Sequence, residues 1–563
     1  MREIRKNIYT ILVVGFVVFS LTPTFYELYH AKEVQPERKF ELVHNFYTDY
    51  NFYLSRIRQG LEKNRTVTEK YTSEPHEGSL IQIFYLWLGR VGASVRVPWE
   101  RPGDVYHVAR VVMALLVLAL IGKFCQKAFP QRWALIAFLL AVTASTWPKW
   151  QNWPVGSPIT LISGWRFGGY MSWFSVMDSL QRITFIPHVL AGQALIVFLV
   201  MALSDREILA KPGNWIFLGI LALLLGLVFP PGLLLVGVAC GYLILLELRE
   251  VGSKKWWKES VLPRLSVGVI SAPSLLYLAL MVTIYPWKRL VEFDVLNPVA
   301  FKLSEYLLAM GPVLPLGLAG LVLALRKKSV ALRPAVAWAL AFLTLFIGFH
   351  FVPQQHPLRY SEVLPHVPLA ILTAYLFYTL AGWRGYSNWS NWSNWTNWVK
   401  LVPITIILLG LGVMYSSYLW QRDFVDHKLH SSWPLVPSGS YVMYPLKNFI
   451  DGMTFLRGNT PRTSVVLSRE TTGNYLPVYA GNTAYFGHAN TVKYEEKKWL
   501  VQGFFAGQMN AEQALQWLKE AGIAYIFFGP QEQEAGSTAR LEKLYPFLSA
   551  VYENPQVVIF KVP

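Results

Sequence analysis

The sequence predicts a mainly α, polytopic membrane protein with a small α/β domain outside the membrane. Three observations predict it. The chain is 53% hydrophobic and only 15% charged over 563 residues, whereas soluble proteins are about one quarter charged. Long apolar runs recur along residues 8–420. Beyond residue 420 the runs shorten and alternate with polar stretches, the pattern of strands and helices rather than of spans. A net charge of +17 would suggest nucleic acid in a soluble protein. Here much of the positive charge lies in short loops between apolar runs, which implies topology signals and membrane lipids as partners, not nucleic acid. Cys125 ends one apolar run and Cys240 lies inside another, so neither a disulfide framework nor a Cys metal site is expected.

The elements follow in order. Residues 8–26 come after the basic MREIRK and show no A-x-A-like cleavage site, so they are expected to stay as a signal anchor. A long first outer loop, 27–103, comes next. Within it, NFYTDYNFYLSRIRQG (45–60) is expected to form an interfacial helix, and LIQIFYLWLGRVGASV (80–95) is short for a span and is placed at the interface too. Further apolar runs fall near 105–122, 133–147, 184–203, 214–230, 231–246, 264–285, 305–325, 334–351, 363–382 and 400–419, with Pro230–Pro231 turning between two of them. The basic loops at 123–132, 206–211, 247–259 and 326–333 all fall inside only if 80–95 is not counted as a span. The expectation is therefore eleven spans, a cytoplasmic N-terminus, a membrane domain 1–420 and an extracytoplasmic α/β domain 421–563. On this topology SNWSNWSNWTNW (387–398) is a cytoplasmic loop repeat with Trp at the headgroup level. In the last domain TSVVLS, IAYIFFG and QVVIFKV are expected strands, and NAEQALQWLKEAG a helix capped by Asn510 and Gln513 and ended by Gly522.

The spans hold no Asp, Glu or Lys in their middles, which argues against a proton relay or ion-coupled transport. Polar residues gather at the predicted outer ends: Arg110, His188, His350 and His366, with Gln354, Gln355, Arg359 and Glu362 in the loop FVPQQHPLRYSE. Asp49 is on that side as well. A polar site at the outer interface accounts for them all. Each has a plainer reading: His350 and His366 as hydrated helix ends, Arg110 as a snorkelling side chain. Arg359 suits a phosphate, because its fork makes paired charge-assisted bonds. Arg58 can pair with Glu62 one turn on. On a helix, Asp49, Tyr53 and Arg56 share a face flanked by Tyr47, Tyr50 and Phe52. Such a face could serve a sugar phosphate, with the carboxylate taking a proton from an attacking hydroxyl. The alternative is an ion-pair stripe on a solvated helix. Glu74, His76 and Glu77 are either an acceptor-orienting cluster or an acidic helix start.

An acidic motif in a long outer loop just after the first span resembles the C-type (GT-C) glycosyltransferases. Here that motif is TDYNFYLSRIRQG. SEPHEGS (73–79), Pro187–His188 and ETTGNYLPVYAGNTAYFGH (470–488) are similar to stretches of poorly characterised bacterial, mannosyltransferase-like members. The resemblance implies a multi-pass protein of the plasma (inner) membrane. It implies a sugar donor linked to polyprenyl phosphate and a glycan, lipid or protein acceptor. It matches Asp49 to the catalytic acid and Arg359 to the basic residue that meets the lipid phosphate. Arg56 and His188 are expected beside that phosphate. Tyr53, Glu74, His76, Glu77, Arg110 and Gln355 are candidates on the acceptor side. Many members carry two adjacent acids where this chain has Asp49 alone, so a divalent cation is not favoured. The expected activity is hexosyl or mannosyl transfer. The rivals are a non-catalytic scaffold of the same fold and a lipid or polysaccharide transporter, which would need polar residues through the depth of the bundle.

Overall fold

The computed structural model describes residues 2–152, 165–248, 253–352, 356–382, 395–439, 441–535 and 541–563. Among these, five helices are long and apolar enough to cross a bilayer: Pro102–Ala128, Pro230–Leu248, Lys254–Met281, Val330–Phe349 and Leu401–His430. Two more candidates are bent pairs, Ile8–Ser20 with Thr22–Glu33 and Leu303–Ala309 with Val313–Arg326. Gln131–Thr143, Pro187–Leu203, Pro212–Val228 and His366–Gly382 are apolar but shorter. Each of the eleven apolar runs falls on one of these helices or pairs. By length and apolarity five to seven of them qualify as spans, so the count of eleven stays an expectation.

The chain divides into two compact units. Unit 1 comprises 1–23, 108–278 and 297–423; unit 2 comprises 24–107, 279–296 and 424–563.

Unit 1 is mainly helical. One close helix crossing in it is made by glycines. A Cβ on Gly320 would lie 2.0 Å from the Leu372 carbonyl oxygen, and one on Gly317 2.7 Å from that of Leu369. Small residues let helices approach where lipid offers no hydrophobic drive to associate. At the C-terminal end of helix Pro187–Leu203, Arg264 Nε donates to the Leu203 carbonyl (2.9 Å), and its fork holds buried Glu247 at 3.0 and 3.1 Å. An antiparallel hairpin, β1 (Pro148–Asn152) with β2 (Trp165–Gly169), was not foreseen.

Unit 2 is the α/β part. Among the described residues its sheet has the order β4-β3-β5-β7-β6, with β3 Val465–Leu467, β4 Thr483–Ala484, β5 Ile523–Phe528, β6 Ser549–Asn554 and β7 Val557–Lys561. β3 runs parallel to β4 and β5, and β7 antiparallel to β5 and β6. The three expected strands are β3, β5 and β7. Alternating side chains enter two different cores, as a period of two demands. Val466, Phe527 and Ile559 join Phe449, Met453 and Tyr475, whereas Leu467, Ile526 and Phe560 join Phe504 and Leu518. Helices Lys447–Asn459 and Glu470–Tyr479 therefore cover one face, and Tyr494–Phe505 and Ala511–Glu520 the other. The last of these has the expected capping box: the Asn510 side chain accepts from the Gln513 amide (2.9 Å), and the Gln513 side chain accepts from the Asn510 amide (3.2 Å).

The stretch 80–95 contributes a twelve-residue helix, Ile83–Ser94, to unit 2. It crosses helix Tyr47–Leu61 at two glycines. A Cβ on Gly60 would sit 2.1 Å from the Leu86 carbonyl oxygen, and one on Gly89 2.0 Å from that of Ile57.

Candidate functional site

Asp49 lies in the first turn of helix Tyr47–Leu61 and is exposed. An acid there is favoured by the helix dipole. The other side of the helix is buried and anchored by the motif at 470–488. Asn51 Nδ2 donates to Asn474 Oδ1 (2.8 Å), Asn474 Nδ2 donates to the Thr48 carbonyl (3.2 Å), and Tyr71 Oη donates to the Asn474 carbonyl (3.1 Å). Two glycines of the motif permit close backbone contact: a Cβ on Gly473 would lie 1.8 Å from the Phe486 carbonyl oxygen, and one on Gly487 2.3 Å from the Gly473 carbonyl carbon. That motif thus holds the Asp49 helix in place.

The same helix takes part in an aromatic wall. Tyr53, half-buried, stacks on Tyr85 with centroids 4.5 Å apart, and Tyr106 lies parallel to both. Tyr50 meets Tyr106 edge-on at 5.1 Å. His107 Nε2–H donates to the Leu42 carbonyl (3.0 Å) and lies 3.1 Å from Tyr50 Oη; His44 Nδ1 is 2.9 Å from Tyr106 Oη. His44, Tyr85, Tyr106 and His107 were not singled out from the sequence. The available signal was the Tyr106–His107 pair at the mouth of the second apolar run.

Arg56 shares the helical face of Asp49 but not its surroundings. Its side chain is fully buried, 2.6 Å from Glu69, with Nε donating to Gln82 (3.0 Å) and the guanidinium 3.6 Å above the Phe52 ring. Arg56 is thus ion-paired with Glu69 out of solvent, where the sequence expects it beside the donor phosphate. Beside it, His488 stacks on Phe52 at 4.5 Å, and burial, with Arg56 adding to it, pushes that imidazole down to about 3.

The acceptor-side candidates at 74–77 are also engaged. Glu74 is held by Thr72 and by Lys497 at 2.8 Å. Burial raises its carboxyl, but Lys497 outweighs this and keeps it below the ordinary value. His76 Nδ1–H donates to the Glu74 carbonyl (2.8 Å), and Nε2 accepts the Glu69 amide (2.9 Å), which fixes a neutral tautomer. Glu77 is exposed. Among the described residues no three His, Cys, Asp or Glu side chains group in a way that could hold a metal ion.

Unit 1 carries the other candidates. Arg359 is exposed on the 3-10 turn Pro357–Ser361, whose first residue follows His356. The His356 side chain accepts from the Leu358 amide (3.2 Å) and caps the turn. Gln193, on helix Pro187–Leu203, donates to the Glu362 carbonyl at 2.7 Å, and Tyr306 Oη meets Ser361 Oγ at 3.0 Å. The turn is thereby docked on the helix that opens with Pro187–His188, and Arg359 lies within electrostatic reach of His188. Arg110 is buried in helix Pro102–Ala128. Gln354 and Gln355 lie outside the described residues.

No family model matches the sequence, and no curated protein matches it. Solved structures do match. ArnT from Cupriavidus metallidurans bound to undecaprenyl phosphate aligns with a TM-score of 0.52 at 13% identity, over 98% of this chain and 98% of that one. The archaeal oligosaccharyltransferase AglB from Archaeoglobus fulgidus, in complex with an inhibitory peptide and a dolichol-phosphate, aligns with a TM-score of 0.51 at 12% identity, over 93% of this chain and 69% of that one. The apo form of the Archaeoglobus fulgidus oligosaccharyltransferase gives 0.54 at 14% identity, over 92% and 69%. The chain therefore has the fold of ArnT and AglB along nearly its whole length.

Proposed function

We propose that this protein is a membrane glycosyltransferase that moves a sugar from a polyprenyl-phosphate donor to an extracytoplasmic acceptor. The observation that carries the reading is Asp49. It is an exposed carboxylate on the first turn of a helix that is pinned from behind and faced with stacked tyrosines. It sits within a fold shared with proteins solved with dolichol-phosphate and undecaprenyl phosphate. A hydroxyl of the acceptor attacks the anomeric carbon, and the bond from that carbon to the phosphate oxygen breaks. The hydroxyl proton passes to Asp49, and polyprenyl phosphate leaves with the electron pair. One displacement inverts the anomeric centre. A preorganised cation is worth most at the phosphate as charge develops, and Arg359 and His188 of unit 1 are the residues proposed for that role. Arg56 acts at one remove, by locking the helix that carries Asp49. Tyr53, half-buried against buried Tyr85 and Tyr106, gives the sugar ring a face to pack on. The sugar proposed is of the hexosyl or mannosyl type.

The test is transfer of a labelled sugar from polyprenyl phosphate in reconstituted membranes. Asp49→Asn keeps size and removes the proton acceptor. Turnover is expected to fall by about two to four orders of magnitude, with donor binding retained. A variant that transfers as fast as the wild type would leave Asp49 as a helix-start acid only. A wild type that binds donor but never transfers would favour the non-catalytic scaffold.

A further inference from the structure

Helix 47–61 has a second charged region at its far end. Arg58 and Glu62 lie nine and thirteen positions past Asp49, roughly 13–20 Å along the axis. There the Trp99 ring has three guanidiniums around it: Arg58 at 4.6 Å, Arg462 at 4.9 Å and Arg457 at 5.3 Å from the centroid. Lys70 adjoins them, its Nζ donating to the Arg462 carbonyl (3.2 Å) and lying 3.4 Å from Thr483 Oγ1. Four cations thus meet, and Glu62 alone among the described residues is ion-paired with any of them. It binds Arg58 Nε at 3.0 Å and also Arg462. Lys70 is held low by burial, with Glu62 opposing and Arg58 and Arg462 adding to it.

Arg58 is built in. Arg58 Nη1 and Nη2 donate to the carbonyls of Val478 (2.5 Å) and Ala480 (3.2 Å). Gly481, at φ +87°, leaves the room: a Cβ there would lie 2.4 Å from Arg58 Nη2. The ring of Trp99 keeps the guanidiniums together without neutralising them, because a π face attracts cations but carries no charge. Arg58 is spent on its carbonyls and acts as a fixed charge. Arg457 is part-buried and Arg462 exposed, and Arg457 has a contact with Trp99 but no ion pair among the described residues.

We infer that unit 2 carries an anion-binding site beside Trp99, separate from Asp49, in which Arg457 and Arg462 take a phosphate group. Two forks over a surplus of positive charge match the oxygens and charge of a phosphate ester better than those of a single carboxylate. The ester belongs either to a soluble sugar phosphate or to a lipid headgroup. The inference does not rest on the proposed glycosyl transfer.

Calorimetric titration of the full chain in a neutral detergent tests it, with glucose 1-phosphate and a short-chain phosphatidylglycerol as probes. The double variant Arg457→Gln/Arg462→Gln is expected to bind at least tenfold more weakly than the wild type, whereas Lys519→Gln, on an exposed helix face of the same unit, binds as the wild type does. Preference for the sugar phosphate or for the lipid assigns the source, and equal binding assigns recognition to the phosphate itself. Arg457→Lys, which keeps charge and loses the fork, is expected between wild type and double variant. No binding of either probe by the wild type overturns the inference. So does binding that survives in the double variant and disappears in Arg359→Ala, which would belong to the other site.

Discussion

Burial pushes the Glu41 carboxyl up to about 7, against the Tyr475 hydroxyl that donates to it at 2.7 Å and the more distant Lys428. Its other oxygen is buried with no hydrogen-bond partner. The folded chain therefore keeps a proton on Glu41 that the unfolded chain releases near 4.5. Stability from this group is whole below about pH 4.5 and falls as pH rises through 7, by about 3 kcal/mol in all. Glu41→Gln retains an acceptor for Tyr475 and removes the charge. Unfolding of the full chain at pH 5 and pH 8 should show the variant more stable than the wild type at pH 8, with the gap nearly closed at pH 5. A variant weaker at pH 8 would mean that the carboxylate has a favourable partner there. For Arg359→Ala, donor affinity should weaken by about 1.5–3 kcal/mol, the usual worth of a charge-assisted bond, with little change in unfolding. Unchanged donor affinity would remove Arg359 from the phosphate. The sequence marked Asp49 as the one acid in an aromatic stretch beside an apolar run, and Arg359 as a fork suited to phosphate in a short loop with two amides. It also marked the Arg58–Glu62 pair, since one helical turn separates them, and the pair forms at 3.0 Å. It could not show that Arg58 reaches carbonyls 420 and 422 positions away. Nor could it show that Glu69, thirteen positions on, neutralises Arg56. Such pairings follow from tertiary folding, not from helical period.

Secondary structure was legible where one local rule dominated. β5 and β7 are apolar runs buried at several positions, and the helix after Asn510 shows its capping box in four letters. β6, Ser549–Asn554, was missed because most of its side chains are exposed or only half-buried, so no apolar run marks it. β4 has two residues, too few for any period. The motif at 470–488 was noticed for its likeness, yet its reason is steric: Gly473 and Gly487 let two backbone segments touch, and Asn474 ties both to helix 47–61. The same logic governs the crossing of that helix with Ile83–Ser94. Gly60→Ala places a methyl against the Leu86 carbonyl, with backbone rather than a flexible side chain in the way. The helices must separate, at a cost of about 1–3 kcal/mol by the measure of overpacked cores. Thermal unfolding should show the loss. Turnover should fall as well, because Asp49 rides on the displaced helix. Full stability in Gly60→Ala would mean that the crossing is looser than described.

At the scale of the chain, polarity sorts to the two ends of helix Pro187–Leu203. His188 opens it, near Arg359, and Arg264 with Glu247 closes it. Sorting of this kind is what a membrane imposes, since charge is costly in the hydrocarbon and tolerable at either rim. It also leaves one quantity open to measurement, the number of crossings. Helix His366–Gly382 has 17 residues. At 1.5 Å each it is about 25 Å long, short of a hydrocarbon core of about 30 Å. Between Lys327 and Asp451, among the described residues, lie three apolar helices, Val330–Phe349, His366–Gly382 and Leu401–His430. If all three cross, positions 327 and 451 face opposite sides. If the short helix only enters and returns, two crossings remain and both positions face the same side. Both side chains are exposed, whereas Cys125 is buried and Cys240 partly so, which keeps the background low. A membrane-impermeant maleimide on intact cells should label Asp451→Cys and not Lys327→Cys, and permeabilised cells should show both. The basic loop at 326–333 makes the same demand, because lysine and arginine in short loops stay on the cytoplasmic side. Labelling of Lys327→Cys from outside would break the rule of one-sided basic loops. It would take with it the eleven-span count and the placing of Asp49 and Arg359 at one leaflet.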